Sequence, residues 1–369
     1  MVREMNRRKF LHTTSLAAVA AASTKGLGAS FNVERPIRVA QIGTRHAHAR
    51  SKWQTICEMP DRFVPVGIFE PDPERRQKVA EDSDYAEVRW IDQRDELLGL
   101  EVDAVLVEPE LPGLVQWAQF GLESGWHVHM DKPPGKDREG LARLQNLAEQ
   151  GNQVFQMGYM YRYHPAFGFC REAVRKGWIG RLYAVHGEIG KVVGSDRRPW
   201  LAEVYGGSMM LLGCHLLDLV IALLGEPERV ETFRRQTYPD QDAYSDHELA
   251  VLEYPGALAT VRSMLAEVGG GDRRQLVLCG ENGTIEVRPL EPARVRLALL
   301  EPTGPFRSGE QVVAIQPVQG RYTEQLIDFH SMIGGNPSSV PEFTPDHDRL
   351  LQDVLIRASA VGSRPAENC

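Results

Sequence analysis

Along residues 37–158, short apolar runs alternate with longer mixed segments, and each run ends at a polar or glycine-containing break. Ile37–Ile42 is apolar and β-branched and stops at Gly43, which reads as a buried strand. Further strands are expected at 63–69, 103–107, 126–130 and 153–158. Helices are expected near 51–58, 73–80, 112–124 and 136–150. Strands that alternate with helices build parallel βαβ units, so 35–157 is expected to be a doubly wound Rossmann domain.

Beyond residue 158 the rhythm changes. Longer strand-like stretches appear at 182–193, 229–237, 248–265, 274–279, 284–287 and 294–300, several of them separated by short turns such as Gly280-Glu281-Asn282-Gly283. The expectation for 158–345 is a second α/β domain with a large open, mostly antiparallel sheet. An apolar helix at 209–224, closed by Gly225, interrupts it, and 322–333 and 346–361 read as helices, the second forming the C-terminal element.

Composition narrows the picture. Of 369 residues, 42% are hydrophobic and 25% charged, which is globular usage. The net charge of −8 argues against a nucleic-acid partner. Cys57, Cys170, Cys214, Cys279 and Cys369 are scattered without a C-x-x-C pair, so neither a zinc site nor a disulfide framework is indicated. Residues 1–30 have the layout of an export signal: Arg7-Arg8-Lys9-Phe10-Leu11, a short apolar centre at 16–22, then small residues. Paired arginines before Phe-Leu resemble the twin-arginine type. The centre falls well short of the roughly 20 residues a membrane span needs, so no stable membrane insertion is expected. Without residues 1–30 the chain holds 37 basic and 49 acidic side chains, a net charge of −12. The expected location is periplasmic or otherwise exported.

Three places carry candidate chemistry. The turn Gly43-Thr44-Arg45-His46-Ala47-His48 stands where a dinucleotide-binding loop would sit, but keeps only the first glycine of G-x-G-x-x-G. Glu70 ends the second strand, where a carboxylate accepts from adenosine ribose hydroxyls and repels a 2′-phosphate, favouring NAD over NADP. Arg45 is able to pair with a pyrophosphate, although a solvated turn with no dinucleotide is the alternative. Asp131-Lys132-Pro133-Pro134 follows the strand at 126–130, at the sheet edge where such folds bind ligands. Lys132 there either stabilises a developing alkoxide or belongs to a surface turn. On the helix at 209–224, His215 and Asp218 are the strongly polar side chains, spaced to share a face. His215 suits a general base, or a satisfied core histidine. His46, His48, His127 and His129 have no carboxylate or cysteine at ligand spacing, so no metal is expected. Tyr159, Tyr161, Tyr163, Trp178 and Trp200 are candidates either to stack on sugar faces or to fill the core.

These pieces, in this order, resemble the glucose–fructose oxidoreductase/inositol dehydrogenase (Gfo/Idh/MocA) family over roughly residues 36–361. The resemblance lies in Ile37 to Gly43 with Glu70-Pro71-Asp72, in His127 to Pro133, in Gly158 to Pro165, and in Gly206-Gly207 through His215 and Asp218 to Gly225. It implies a nicotinamide cofactor, a sugar, polyol or related carbohydrate substrate, and a homodimer or homotetramer. It further implies that Lys132 and His215 are catalytic and that Arg162, Tyr163, His164 and Asp218 line the substrate site. Gly43, Thr44, Arg45, His46, Glu70, Asp131 and Lys132 would hold the cofactor.

The chain departs from the family pattern at three places. Leu211 replaces an aspartate four residues before the histidine, Glu108-Pro109-Glu110 replaces Thr-Pro-Asn, and Arg45 and His48 replace glycines. Two other functions therefore stand beside a dehydrogenase: a glycosidase or lyase-type enzyme that retains NAD for transient oxidation, and a non-catalytic binding protein on the same fold.

Overall fold

A computed structural model describes residues 35–82, 85 and 88–359. The export signal expected at 1–30, Cys369 and the last two residues of the expected C-terminal helix lie outside the described residues.

The N-terminal domain alternates as the apolar runs require. Its elements are β1 Ile37–Ile42, α1 Ala49–Cys57, β2 Phe63–Phe69, α2 Pro73–Ala80, β3 Trp90–Ile91, α3 Arg94–Leu98, β4 Ala104–Val107, α4 Leu111–Glu123, β5 His127–Met130, α5 Arg138–Gln150 and β6 Phe155–Met157. The short β3 and α3 carry too few apolar residues to announce themselves in the sequence. The strands form one parallel sheet in the order β3-β2-β1-β4-β5-β6. Five of six β1 residues and all four of β4 are buried, as expected for strands covered by helices on both faces. Strand order reverses between β1 and β4, which opens a crevice at their carboxyl ends. Gly43, Glu108 and Lys132 all follow strands on that edge.

The second domain starts with a 3₁₀ turn, Met160–Tyr163, and α6 Pro165–Arg175. There follow β7 Leu182–Gly190, α7 Arg198–Tyr205, α8 Cys214–Leu224, β8 Arg229–Arg235, β9 His247–Tyr254, β10 Ala257–Met264, α9 Gly270–Arg273, β11 Gln275–Gly280, β12 Gly283–Val287, β13 Val295–Leu299, β14 Gly309–Val313, α10 Thr323–Ile333 and α11 Pro345–Ala358. The eight strands run β14-β13-β12-β11-β7-β10-β9-β8, all antiparallel except the β7–β10 pair. The stretch expected as one strand at 248–265 is a hairpin, because Pro255 and Gly256 make a two-residue turn that pairs Tyr254 with Ala257.

The apolar helix at 209–224 has two parts. Met209–Gly213 is wound as a wider π turn before α8 begins. The C-terminal helix α11 packs back on the first domain: Arg138 pairs with Asp353, and Gln352 donates to the carbonyls of Gly135 and Asp137. One continuous apolar core runs from the parallel sheet through Tyr159, Tyr161 and Phe167 to α8 and the second sheet.

Candidate active site

The turn after β1 is set by a close approach. Gly43 has φ +87°, and a Cβ there would stand 2.5 Å from the Pro109 nitrogen, so only glycine lets the β1 and β4 loops meet. Thr44 Oγ1 donates to Glu70 Oε2 at 2.6 Å, and the Asp72 amide donates to Glu70 Oε1 at 3.1 Å. Arg75 donates to Thr44 Oγ1 and to the Thr44 carbonyl, each at 3.1 Å. The Arg45 side chain, 37% exposed, pairs with Asp72 on one side and with Glu110 at 3.0 Å on the other. Its guanidinium thereby straps the β2 loop to the β4 loop across the crevice.

Beside it a cleft of about 660 Å³ is lined by Thr44 and by five cations, Arg45, Arg50, Arg75, Lys78 and Arg197, against two acids, Asp82 and Asp196. This donor set fits an anionic dinucleotide. Glu70 stands at the end of β2 to accept from a ribose. Arg45 holds half-exposed carboxylates that a pyrophosphate is able to replace, since exposed pairs contribute only about 0–1 kcal/mol.

Beneath the turn lies a buried ionic centre. Lys52 Nζ is 2.7 Å from both Glu108 Oε1 and Asp131 Oδ2, with all three side chains fully buried. His46 Nδ1 and His48 Nδ1 stand 2.8 and 3.0 Å from the same Asp131 oxygen, and His46 Nε2 is 3.0 Å from the Lys132 carbonyl oxygen. Burial opposes ionisation of Asp131, but His46, His48 and Lys52 outweigh it and hold its carboxyl well below the usual range. Burial and the Asp131 charge push Glu108 well above its range. Burial acts against the Lys52 ammonium, and the two carboxylates overcome it, raising its pKa.

His48 and Lys52 are one helical turn apart, the signal by which this centre was readable; Glu108 and Asp131 lie too far along the chain for any spacing rule to join them. The structure also corrects the reading that no carboxylate accompanies the histidines. His46, His48 and Asp131 bring potential ligand atoms within 4.8 Å of one another, a set able to hold a metal ion, in which Lys52 competes for the shared Asp131 oxygen.

Lys132 and His215 meet across the domains. Both are almost fully buried, and both line a cavity of about 290 Å³ together with Arg45, His46, His48, Tyr161, Lys191, Tyr205, Leu211, Arg274 and Arg321. Lys132 Nζ donates to the Leu211 carbonyl at 3.0 Å. His215 Nδ1 is buried without a hydrogen-bond partner. Burial, reinforced by Lys132 and His48, pushes the His215 imidazole well below its ordinary range, so it is neutral and able to accept a proton.

The other expected substrate residues separate. Arg162 and Asp218 do not line this cavity. Arg162 donates to Asp218 at 2.8 Å and to Asp348 at 2.6 Å, and His347 Nε2 stands 2.8 Å from Asp218 Oδ1. The separation has a simple cause: on so apolar a helix the Asp218 carboxylate requires buried partners, and the 3₁₀ turn supplies the Arg162 guanidinium and α11 the His347 ring. His215 and Asp218 therefore do not act as a pair. Tyr163 and His164 line an adjoining cavity of about 570 Å³, which shares Met160, Tyr161 and Arg321 with the first and carries Glu291 and Glu324. Tyr163 also donates to Asp328 at 3.1 Å.

Two family models match. One is described as the oxidoreductase family NAD-binding Rossmann fold and covers residues 37–159; the other, the GFO/IDH/MocA C-terminal domain, covers 167–286. Among curated relatives, a dTDP-3,4-didehydro-2,6-dideoxy-alpha-D-glucose 3-reductase of Streptomyces violaceoruber is 28% identical over 53% of this chain and 57% of its own. A D-glucoside 3-dehydrogenase of Escherichia coli is 26% identical over 52% and 55%. The chain thus spans about half the length of these relatives. Among solved structures, a levoglucosan dehydrogenase in complex with NADH and levoglucosan has a TM-score of 0.74 at 17% identity, covering 88% of this chain and 97% of that one. A UDP-N-acetylglucosamine 3-dehydrogenase from Acidithiobacillus ferrooxidans gives 0.71 at 20%, covering 88% and 96%. At these identities the likeness is one of fold.

Proposed function

The chain belongs to the Gfo/Idh/MocA family of oxidoreductases, and from that premise we propose that it transfers hydride between NAD and a hydroxyl-bearing carbon of a sugar, polyol or related carbohydrate. The observation that carries this reading is the cavity shared by Lys132 and His215 at the carboxyl edge of the Rossmann sheet. When bound, a nicotinamide supplies the hydride acceptor. The chain's own residues do the rest. Lys132, anchored on the Leu211 carbonyl, has N–H groups left to hold a substrate hydroxyl and to stabilise the alkoxide as it forms. His215, neutral and without a partner at Nδ1, takes the hydroxyl proton. Glu70 favours NAD over NADP, and Arg45 exchanges Asp72 and Glu110 for the pyrophosphate.

A second reading keeps the same residues but retains NAD through each turnover, as in a glycosidase or lyase. Oxidation of a sugar hydroxyl to a ketone would acidify the neighbouring C–H. A base would take that proton, and the glycosidic oxygen would leave and be protonated. Water would add to the enone in the hydrolytic case, and the retained cofactor would supply the reduction of the ketone. The place of Arg45 between the β2 and β4 loops favours it, because a guanidinium that trades its two carboxylates for the pyrophosphate would slow cofactor release.

Arg7-Arg8 supports export of the protein. Homo-oligomerisation is supported by exposed Tyr183, Phe233, Leu258 and Val312 on the strands of the open sheet. The test is to denature purified protein and chromatograph any released NAD(H), then to titrate NAD and screen carbohydrates. NADH accumulating with a neutral or acidic sugar supports the dehydrogenase, and bound NAD without net reduction supports the second reading. Neither release nor binding of NAD overturns both.

A further inference from the structure

The folded chain is acidic, yet the cavity holding Lys132 and His215 is lined by Arg45, Lys132, Lys191, Arg197, Arg274 and Arg321 and by no aspartate or glutamate. These cations divide by the cleft they share. Arg45 and Arg197 also line the neighbouring cleft with Arg50, Arg75 and Lys78, where the cofactor phosphates are expected. Lys191, Arg274 and Arg321 do not line that cleft. They come from the second domain, on the substrate side.

Charge on that side is poorly compensated. Arg274 and Arg321 share one carboxylate, Glu291, at 3.8 and 2.6 Å, and Glu291 lines the adjoining cavity instead. Lys191 has no carboxylate partner among the described residues. It follows the end of β7, where Arg274 Nε donates to the neighbouring Gly190 carbonyl at 3.1 Å, and both residues line the cavity. Burial and then the charges of Lys132, Arg274, Arg197 and Arg321 push the Lys191 ammonium down to about 8. A site that concentrates one sign of charge in an enclosed space attracts and holds the opposite one.

We propose that the substrate is an acidic sugar whose anionic group, a carboxylate or a phosphate, is held by Lys191 and Arg274 while its reacting hydroxyl faces Lys132 and His215. This rests on the carbohydrate reading above and names its substrate class. A volume of about 290 Å³ matches the small end of ligand pockets and suits a single sugar ring with one acidic substituent.

The test uses purified full-length protein with NAD added and has two arms. In the first, inorganic phosphate, sulfate and acetate are compared with chloride at constant ionic strength by thermal melting. A larger rise in Tm is expected for the wild type than for Lys191→Ala and Arg274→Ala, the variants controlling for general salt effects. In the second, calorimetry compares glucuronate, galacturonate, gluconate and glucose 6-phosphate with glucose, galactose and inositol. At least one acid is expected to bind tenfold or more tightly than its neutral counterpart. Lys191→Ala and Arg274→Ala should each bring that ratio within about twofold, and Lys191→Arg should restore it. Which acid binds separates carboxylate from phosphate.

Equal binding of neutral and acidic sugars, a preference that survives both substitutions, or no residue-dependent anion effect in either arm overturns the proposal. NAD release and reduction are measured separately. An acidic sugar that binds through Lys191 without redox turnover defeats the hydride-transfer reading and leaves this one standing. Oxidation of neutral sugars alone does the reverse.

Discussion

The Lys132 ammonium donates to the main-chain carbonyl of Leu211 at 3.0 Å, where the family pattern puts an aspartate side chain. Leu211 lies within the π turn over Met209–Gly213, a local widening of the kind frequent at functional sites. A neutral carbonyl orients the lysine without cancelling its charge. Lys132→Met is expected to lower kcat by about 10²–10³ while the protein stays folded, since the group removed stabilises developing charge. Steady-state kinetics beside circular dichroism check this, and unchanged kcat refutes the role.

As the proposed base, His215 is expected to set the acid limb of the rate profile. Its pKa lies well below 6.5, so the neutral base persists on acidification to below the ordinary histidine range. For substrate oxidation, kcat/KM should stay level on lowering pH through 6.5 and fall only at more acidic pH. An acid limb centred at 6.5 or above would contradict that assignment. His215→Ala is expected to cost about 10²–10⁴ in kcat.

The same burial makes stability pH-dependent. His46, His48, His129 and His215 all have folded-state pKa values below the unfolded value of about 6.5, that of His129 at about 3. The unfolded chain binds more protons as pH falls below 6.5, so stability present above that pH is lost progressively beneath it. Thermal melting should give a lower Tm at pH 5 than at pH 7.5, and a flat or rising trend on acidification would argue against buried neutral histidines.

Lys52 neutralises two buried carboxylates. Lys52→Met leaves Glu108 and Asp131 facing each other without it and should cost about 3–5 kcal/mol in urea unfolding. Adding Glu108→Gln should recover part of the loss, because an amide beside the Asp131 carboxylate can donate a hydrogen bond to it and carries no charge to oppose it. Failure of the second change to restore any stability would show that the lysine acts by packing.

Arg162 is expected to behave as a structural residue. Arg162→Leu strands Asp218 and Asp348 in the core, and a loss of about 3–5 kcal/mol should appear in denaturant titration. A raised KM with undiminished stability would instead return Arg162 to the substrate site.

Local patterning was enough to read the elements around the site. The apolar runs at 37–42, 63–69 and 126–130 are dense enough to define strands buried on both faces. Gly43, Glu70 and Lys132 follow from their places at strand ends, because a doubly wound sheet exposes those ends to one crevice. The hairpin at 247–264 was marked by Pro255-Gly256, though the apolar content on both sides hid it. The helices α6 and α7 were missed: α6 shows a helical spacing in Ala166, Phe167, Cys170 and Ala173 that was passed over, and α7 is only two turns long.

By itself the sequence determined the α/β class, the strand-end residues and the apolar helix that carries His215, all of which depend on neighbours within a few residues. The tertiary structure alone decided the pairings. It joined Lys52 to Glu108 and Asp131, separated His215 from Asp218, set Lys132 on the Leu211 carbonyl and gathered Lys191, Arg274 and Arg321 round one cavity. The reason is electrostatic. A buried charge must find a partner or a ligand in space, and the partner's distance along the chain has no bearing on that choice.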